Sequence, residues 1–465
     1  MYLALRYRRK GRARESMGRF SRRRLLAGVV VGGGLAVGGC SPLGGEGPAR
    51  PVTQEIVVWL RDQNDDARRV FADRIVPSIE RLAPGLRLRI EWKSWDGRVL
   101  DAAVGGGEGS PDVFQFGYAD AVGLAAGGGV TDLTSRWAGW GAGGDFVAAC
   151  RAAVWWQGAM VGVPTGCAPW TVFWRRDLLE EIGVQDTPTT WEETLEVARQ
   201  AKMIENGVLR REGMNPPTAD EVLSLFMSVS GRPVVVGGRS QLNSADGRMV
   251  LRYVIDRWQA SQDETMRLSL ADTAGPPLLA GARVGQYGNA AGTLRHFVTT
   301  APELMSLVEV GTPPVPGGTD YKPNAPGLSA PVALTYTDSI AMTAATRAPD
   351  MAWEAIRQLA SPEVLAMYAE TLFVTPPRRS ATGRGYTLEN GQAELVAGVE
   401  RWGVGAPKFP GLAEFRAAIE KRLALLLVGR LNIEEVLMEI ETEQNEALRA
   451  RGFTGDIVPV GGIRG

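Results

Sequence analysis

The run Glu55-Ile-Val-Val-Trp-Leu60 is short and apolar, and the polar stretch Arg61-Asp-Gln-Asn-Asp-Asp66 follows it before Val70, Phe71, Ile75 and Ile79 recur at helical spacing. This pattern predicts a strand, a loop and a helix. Leu86, Leu88, Ile90 and Trp92 then alternate with charged residues, the period of a strand with one solvated side. Pro111-Asp-Val-Phe-Gln-Phe116 predicts a third strand, with Gly117-Tyr-Ala-Asp120 in the loop after it. Repeated β-α-β units predict an α/β fold with helices on a parallel sheet, whose ligands collect beyond the carboxyl ends of the strands.

Farther along, Val161-Gly-Val-Pro164 and Thr165-Gly-Cys-Ala-Pro-Trp170 precede a second apolar run, Thr171-Val-Phe-Trp174. A Pro/Gly-rich break between two apolar runs suits a crossing between domains. Thr190 and Glu193 form a capping box ahead of Trp191, Leu195 and Ala198, which share a helical face. Asn432 and Glu435 repeat that signature before a stripe of Ile433, Val436, Leu437, Ile440, Ala447 and Leu448. Trp92, Trp155, Trp174, Trp191 and Trp258 lie in periodic segments and are expected in the core.

Composition changes this picture in three ways. A chain of 465 residues, 45% apolar and 22% charged, is long enough for two or more packed domains. Its net charge of −1 conceals an asymmetry: residues 1–24 carry ten Lys or Arg and one Glu, a local +9, which leaves the remainder near −10. An acidic body lacks the footprint that neutralises phosphates, so nucleic acid is not an expected partner. One His and three Cys argue against a structural zinc site, and no metal or other cofactor is expected. No complete G-x-S-x-G, H-E-x-x-H, P-loop or G-x-G-x-x-G occurs, so no enzyme is expected. Acids are numerous enough that a glycosidase-type carboxylate pair stays open.

The basic end reads as an address. After the arginines come thirteen uncharged, mostly apolar residues, Leu25 to Val37, fewer than the roughly 20 that span a bilayer. Ser21-Arg-Arg-Arg-Leu-Leu26 resembles a twin-arginine export signal, and Val37-Gly-Gly-Cys40 resembles a bacterial lipobox. The expectation is a signal peptide over 1–39, a lipidated Cys40 and a flexible tether over 40–53. The protein would then be exported and anchored by lipid at the outer face of the cell membrane.

The order of segments from Ile56 to Leu448 resembles the extracellular solute-binding proteins of bacterial ABC importers, of the maltose-binding type. The resemblance is carried by IVVWLRD, PDVFQFGYADAVGLAAGGGVTDLT, GAMVGVPTGCAPWTVFWRRDLLEEIG, PTTWEETLEVARQ, SPEVLAMYAETLFVTPPRRSA and the terminal helix after Asn432. The chain departs from the family pattern at Leu334-Thr-Tyr-Thr-Asp338, where many members are glycine-rich, and at Trp174-Arg175-Arg176. The resemblance implies a two-lobed periplasmic-binding-protein fold with a hinge. One lobe would be 54–164 with 286–336, and the other 165–285 with 337–465. The crossings would fall near Pro164, Gly285 to Asn289 and Tyr336 to Ser339. It also implies a monomer that captures a mono- or oligosaccharide and hands it to the permease's transmembrane subunits. A glycerophosphodiester or other polar solute is the alternative ligand.

Sugar sites combine aromatic rings with directed hydrogen bonds. Residues placed after strands or at the crossings supply the candidates: Trp95, Tyr118, Trp170, Tyr287 and Tyr336 as rings, and Asp62, Asn64, Asp96, Asp120, Asn289, Asp338 and Arg378 as polar groups. Cys150 and Cys167, in an exported chain, are either a disulfide near the first crossing or two buried thiols.

Overall fold

The computed structural model describes residues 54–94, 97–262, 278, 280–317, 331–382 and 392–455. The signal and tether segment, Cys40, Trp95 and Asp96 lie outside the described residues. No helix among the described residues is long and apolar enough to cross a membrane.

The first half is built as its pattern predicts. Strands β1 (Gln54–Arg61), β2 (Leu86–Lys93) and β3 (Val113–Gly117) run parallel, with β1 between the other two. Asn64 caps the intervening helix at Asp65–Val70 by accepting from the Ala67 amide at 2.9 Å. A hairpin of β4 (Trp155–Trp156) and β5 (Ala159–Met160) leads into β6 (Val163–Arg175). The Pro/Gly-rich break expected within this stretch does not interrupt it: β6 is one strand of 13 residues. Its first half pairs with β13 (Ala333–Met342) and its second half with β11 (Arg283–Asn289) and β12 (Val308–Gly311), so long-range partners hold it extended past Pro164 and Pro169.

The rest of the sheet follows from β7 (Met203–Glu205) and β8 (Val208–Met214), which form a hairpin with β8 alongside β11. The separate pair β9 (Val235–Val236) and β10 (Arg239–Ser240) stands apart, and β14 (Gly403–Gly405) adds to β13. The main sheet of ten strands runs β2-β1-β3-β13-β6-β11-β8-β7, with β12 on β6 and β14 on β13. Its two halves meet where β6 and β13 run antiparallel.

Separate hydrophobic clusters serve the halves. One gathers Ile56, Val58, Phe114 and Phe116 with the helices Pro349–Leu359 and Pro362–Leu372. Another gathers the helices Ala219–Ser230, Ala245–Ser261, Leu412–Leu427 and Ile433–Ala450. Smaller clusters pack Val172, Phe173 and Trp174 of β6, and the helix Ala290–Thr300 joins them through Leu294 and Phe297. This packing differs from the expected lobe boundaries. The two helices over 349–372 join the β1–β3 half, and 290–300 joins the other, because β13 carries the chain back to β3 after 290–300 and before 349–372.

Both capping boxes form. Thr190 Oγ1 accepts from the Glu193 amide at 3.2 Å while Glu193 Oε2 accepts from the Thr190 amide at 3.1 Å, and Asn432 with Glu435 repeats the arrangement. Trp174 and Trp191 are buried, whereas Trp92, Trp155 and Trp258 are only half-buried. Cys150 and Cys167 are buried free thiols, so the disulfide alternative is not formed. Cys167 Sγ donates to the Thr375 carbonyl at 3.3 Å, and the neighbouring Cys150 thiol together with burial pushes its pKa well up.

Candidate functional site

A cavity of about 840 Å³ opens where the halves meet, within the usual range for ligand pockets. Its wall draws on the segments just past the carboxyl ends of β1 and β3, on the middle of β6 and β13, and on the start of the helix after β11. That is where a parallel sheet leaves loops and helix starts free to face a ligand.

Of the expected residues, Asn64, Tyr118, Asp120, Asn289, Tyr336 and Asp338 line this cavity. Tyr118 and Tyr336 meet edge to face with ring centroids 4.6 Å apart. The Tyr336 hydroxyl donates to Asp220 Oδ1, and the Arg416 guanidinium holds Asp220 Oδ2, so a buried carboxylate fixes the ring from behind. Burial pushes the Tyr118 phenol up to about 12 and the Tyr336 phenol higher, keeping both neutral and able to donate. Asp120 Oδ2 accepts from the Gly117 amide at 3.0 Å, and Asn289 Oδ1 from the Gly292 amide at 3.2 Å.

Asp338 stands at the junction of β13, β3 and β6, opposite Gly117 and Gly166, with a bulge just after it in its pairing with β6. Arg61 Nη2 lies 3.6 Å from Asp338 Oδ1. Burial raises the Asp338 pKa, while Arg61 and Arg295 oppose that rise. Gln115 supports this corner, its Oε1 accepting from the Arg61 amide at 3.0 Å and its Nε2 donating to Tyr368 at 3.1 Å.

Four expected residues stand elsewhere. Trp170 and Tyr287 sit behind the wall, the indole 5.9 Å from the Tyr287 ring and 6.0 Å from that of Tyr336. On β11 the residues 287 and 289 share a face, so the strand carries Asn289 to the cavity and leaves Tyr287 deeper in the core. Asp62 pairs with Arg68 at the surface. Arg378 is held by Asp145 at 2.7 Å and the Ala360 carbonyl at 2.9 Å, over the rings of Trp140 and Phe146.

The residues not singled out from sequence are Arg61 and Arg295. Arg295 reaches from the helix Ala290–Thr300 to Gln63 Oε1 at 3.3 Å and the Leu372 carbonyl at 3.1 Å, both on the β1–β3 half. No local signal marks it: an Arg inside an amphipathic helix reads as surface charge. Among the described residues no cluster of three or more His, Cys, Asp or Glu is placed to hold a metal.

The family described as bacterial extracellular solute-binding protein matches residues 63–366. Solved structures share the fold at low identity. The sugar-binding protein MalE of the phytopathogen Xanthomonas citri is 17% identical with a TM-score of 0.73, over 86% of this chain and 98% of its own. The GacH receptor of Streptomyces glaucescens, solved unliganded and with acarbose, is 16% identical with a TM-score of 0.65, over 84% and 98%. Maltose-bound MalE3 of T. maritima is 16% identical with a TM-score of 0.65, over 84% and 99%. Among curated proteins nothing matches.

Proposed function

Because the chain belongs to the bacterial extracellular solute-binding protein family, we propose that it is the capture component of an ABC importer, taking a mono- or oligosaccharide into the cavity between its lobes. The observation that carries this reading is the cavity wall itself. The Tyr118–Tyr336 pair offers ring surface beside Asp338, Asp120, Asn64 and Asn289, the mix of apolar face and directed polar groups that a sugar ring requires. Relatives solved with maltose and acarbose support it. The lobes would close about β6 and β13 and present the loaded face to the permease's transmembrane subunits. Cys40 would carry the lipid that keeps the protein at the outer membrane face after twin-arginine export, and the protein would act as a monomer that binds without catalysis.

A second ligand class is favoured by one observation: Arg61 and Arg295 both line the cavity, as a glycerophosphodiester would require. Thermal unfolding with maltose, mannotriose, glucose and glycerophosphocholine separates the two. A ligand at about 100 times its Kd adds about 2.7 kcal/mol of stability and raises Tm. A rise with a saccharide supports the first reading, a rise with the phosphodiester alone moves the assignment to the second, and no rise with any of them sinks both. For the anchor, Cys40→Ala is expected to release the protein from membranes into the soluble fraction.

A further inference from the structure

A second cavity, of about 690 Å³, shares no lining residue with the cleft. The helix Ala148–Ala153 turns Ala149, Cys150 and Ala153 into the core and Ala148, Arg151 and Ala152 toward this cavity, the spacing of one helical face against another. Beside it the β4–β5 hairpin brings Trp155 and Trp156, and the indole of Trp156 stacks toward Phe453 with centroids 6.2 Å apart and planes at 29°. Trp155 is one of the tryptophans that their periodic segments assign to the core, yet it is only half-buried here.

Among the described residues the charges at this cavity are of one sign. Arg151 and Lys408 are the only charged ones among the described residues lining it, and neither forms an ion pair with another described residue. Arg151 Nε is buried with no hydrogen-bond partner. Lys408 Nζ donates to the carbonyls of Ala152 and Trp155, which take two of its three hydrogens without offsetting its charge. Burial alone accordingly pulls its pKa down to about 8. Two half-buried cations without a counter-charge, beside half-buried indole and phenyl rings, favour an anion that joins them.

We propose that this cavity is a second ligand site, for a saccharide unit bearing a carboxylate or phosphate: Trp155, Trp156 and Phe453 receive the apolar C–H face of the ring, and Arg151 and Lys408 receive the anion. An indole π face attracts the weakly positive C–H edge of a sugar, and a guanidinium takes a carboxylate or phosphate in two parallel hydrogen bonds. The proposal does not depend on what the cleft binds.

The test is calorimetric titration of the full chain with glucuronate, glucose 6-phosphate and glucose, repeated in an Asp338→Asn background that weakens saccharide binding in the cleft. At least one of the two anions is expected to bind with a Kd below about 1 mM and at least tenfold more tightly than glucose, equally in both backgrounds. Which anion binds decides between an acidic sugar and a sugar phosphate. Arg151→Met, with circular dichroism confirming its fold, is expected to weaken that binding at least tenfold. Affinity should fall as pH rises from 7 to 9, because Lys408 loses its proton, and Lys408→Arg should abolish that fall. Equal affinity for glucose, loss of anion binding in Asp338→Asn, or indifference to Arg151→Met would overturn the proposal.

Discussion

Asp338 places a carboxyl on the cleft wall, where burial works against its charge. Burial raises its pKa above the unfolded value, with Arg61 and Arg295 pulling the other way. For a carboxyl whose folded pKa is raised, the favourable contribution is full below the unfolded pKa of about 3.9 and is lost as pH climbs through the folded pKa. Asp338→Asn is therefore expected to melt above the wild type at pH 7, with the gap closing as pH is lowered to about 4. Affinity for the cleft ligand should fall at least tenfold, about 1.4 kcal/mol. Melting curves at the two pH values and one titration check it; a variant that melts lower at pH 7 would mean that the Arg61 pairing outweighs burial. The pair of Arg257 and Glu221 obeys the opposite logic: their side chains are 1% and 3% exposed and 2.8 Å apart. Arg257→Met strands Glu221 and should cost about 3–5 kcal/mol in urea unfolding, and pairing it with Glu221→Leu should recover most of the loss. At this scale the sequence led to the cavity wall at some polar and aromatic residues that follow a strand, Asn64, Tyr118 and Asp120, but not at Asp62, which pairs with Arg68 instead. Trp170 and Tyr287 carried the same local signal yet lie behind the wall, because nothing nearby in the chain says how far along a strand the cavity begins.

Helices announced themselves through their caps, and strands through alternation, because both signals are local. The Thr190–Glu193 and Asn432–Glu435 boxes form as read, and the stripe after Asn432 is buried at Val436, Leu437, Ile440 and Leu448. Gln444 joins the buried face and bonds Ser240 and the Phe415 carbonyl, a partnership that depends on distant residues and leaves no trace in the pattern. The unbroken β6 was equally hidden, since its partners are supplied by β11, β12 and β13, more than 100 residues on. That strand also sets a steric demand. A Cβ at Gly311 on β12 would stand 2.6 Å from the Trp174 indole nitrogen on β6, and Trp174 is fully buried. Gly311→Ala is expected to destabilise by about 1–3 kcal/mol through overpacking. Pairing it with Trp174→Phe, which shrinks the ring, should cost less than the sum of the two single losses, whereas strict additivity would place the strain elsewhere.

For the whole molecule the question is what holds the two halves at their present separation. The halves have their own clusters and share β6 and β13, so rotation about those strands changes the cleft while leaving each core intact. Across the cleft, Arg295 is a side chain of one half whose guanidinium bonds Gln63 and the Leu372 carbonyl of the other. A clasp made of neutral acceptors is weak enough to open, since a hydrogen bond from a charged donor contributes about 1.5–3 kcal/mol. A ligand that bridges the same walls would add to it rather than replace it. Arg295→Met should therefore widen the unliganded ensemble and lower ligand affinity together, because a smaller closed fraction lowers apparent affinity in proportion. Small-angle scattering reads the first effect as a larger radius of gyration without ligand that returns to the wild-type value at saturation. Calorimetry reads the second as a loss of about tenfold. If affinity falls while the unliganded radius stays the same, Arg295 touches the ligand without holding the halves. If the radius grows and does not return at saturation, the clasp is a permanent part of the fold, and closure is driven by other contacts between the walls.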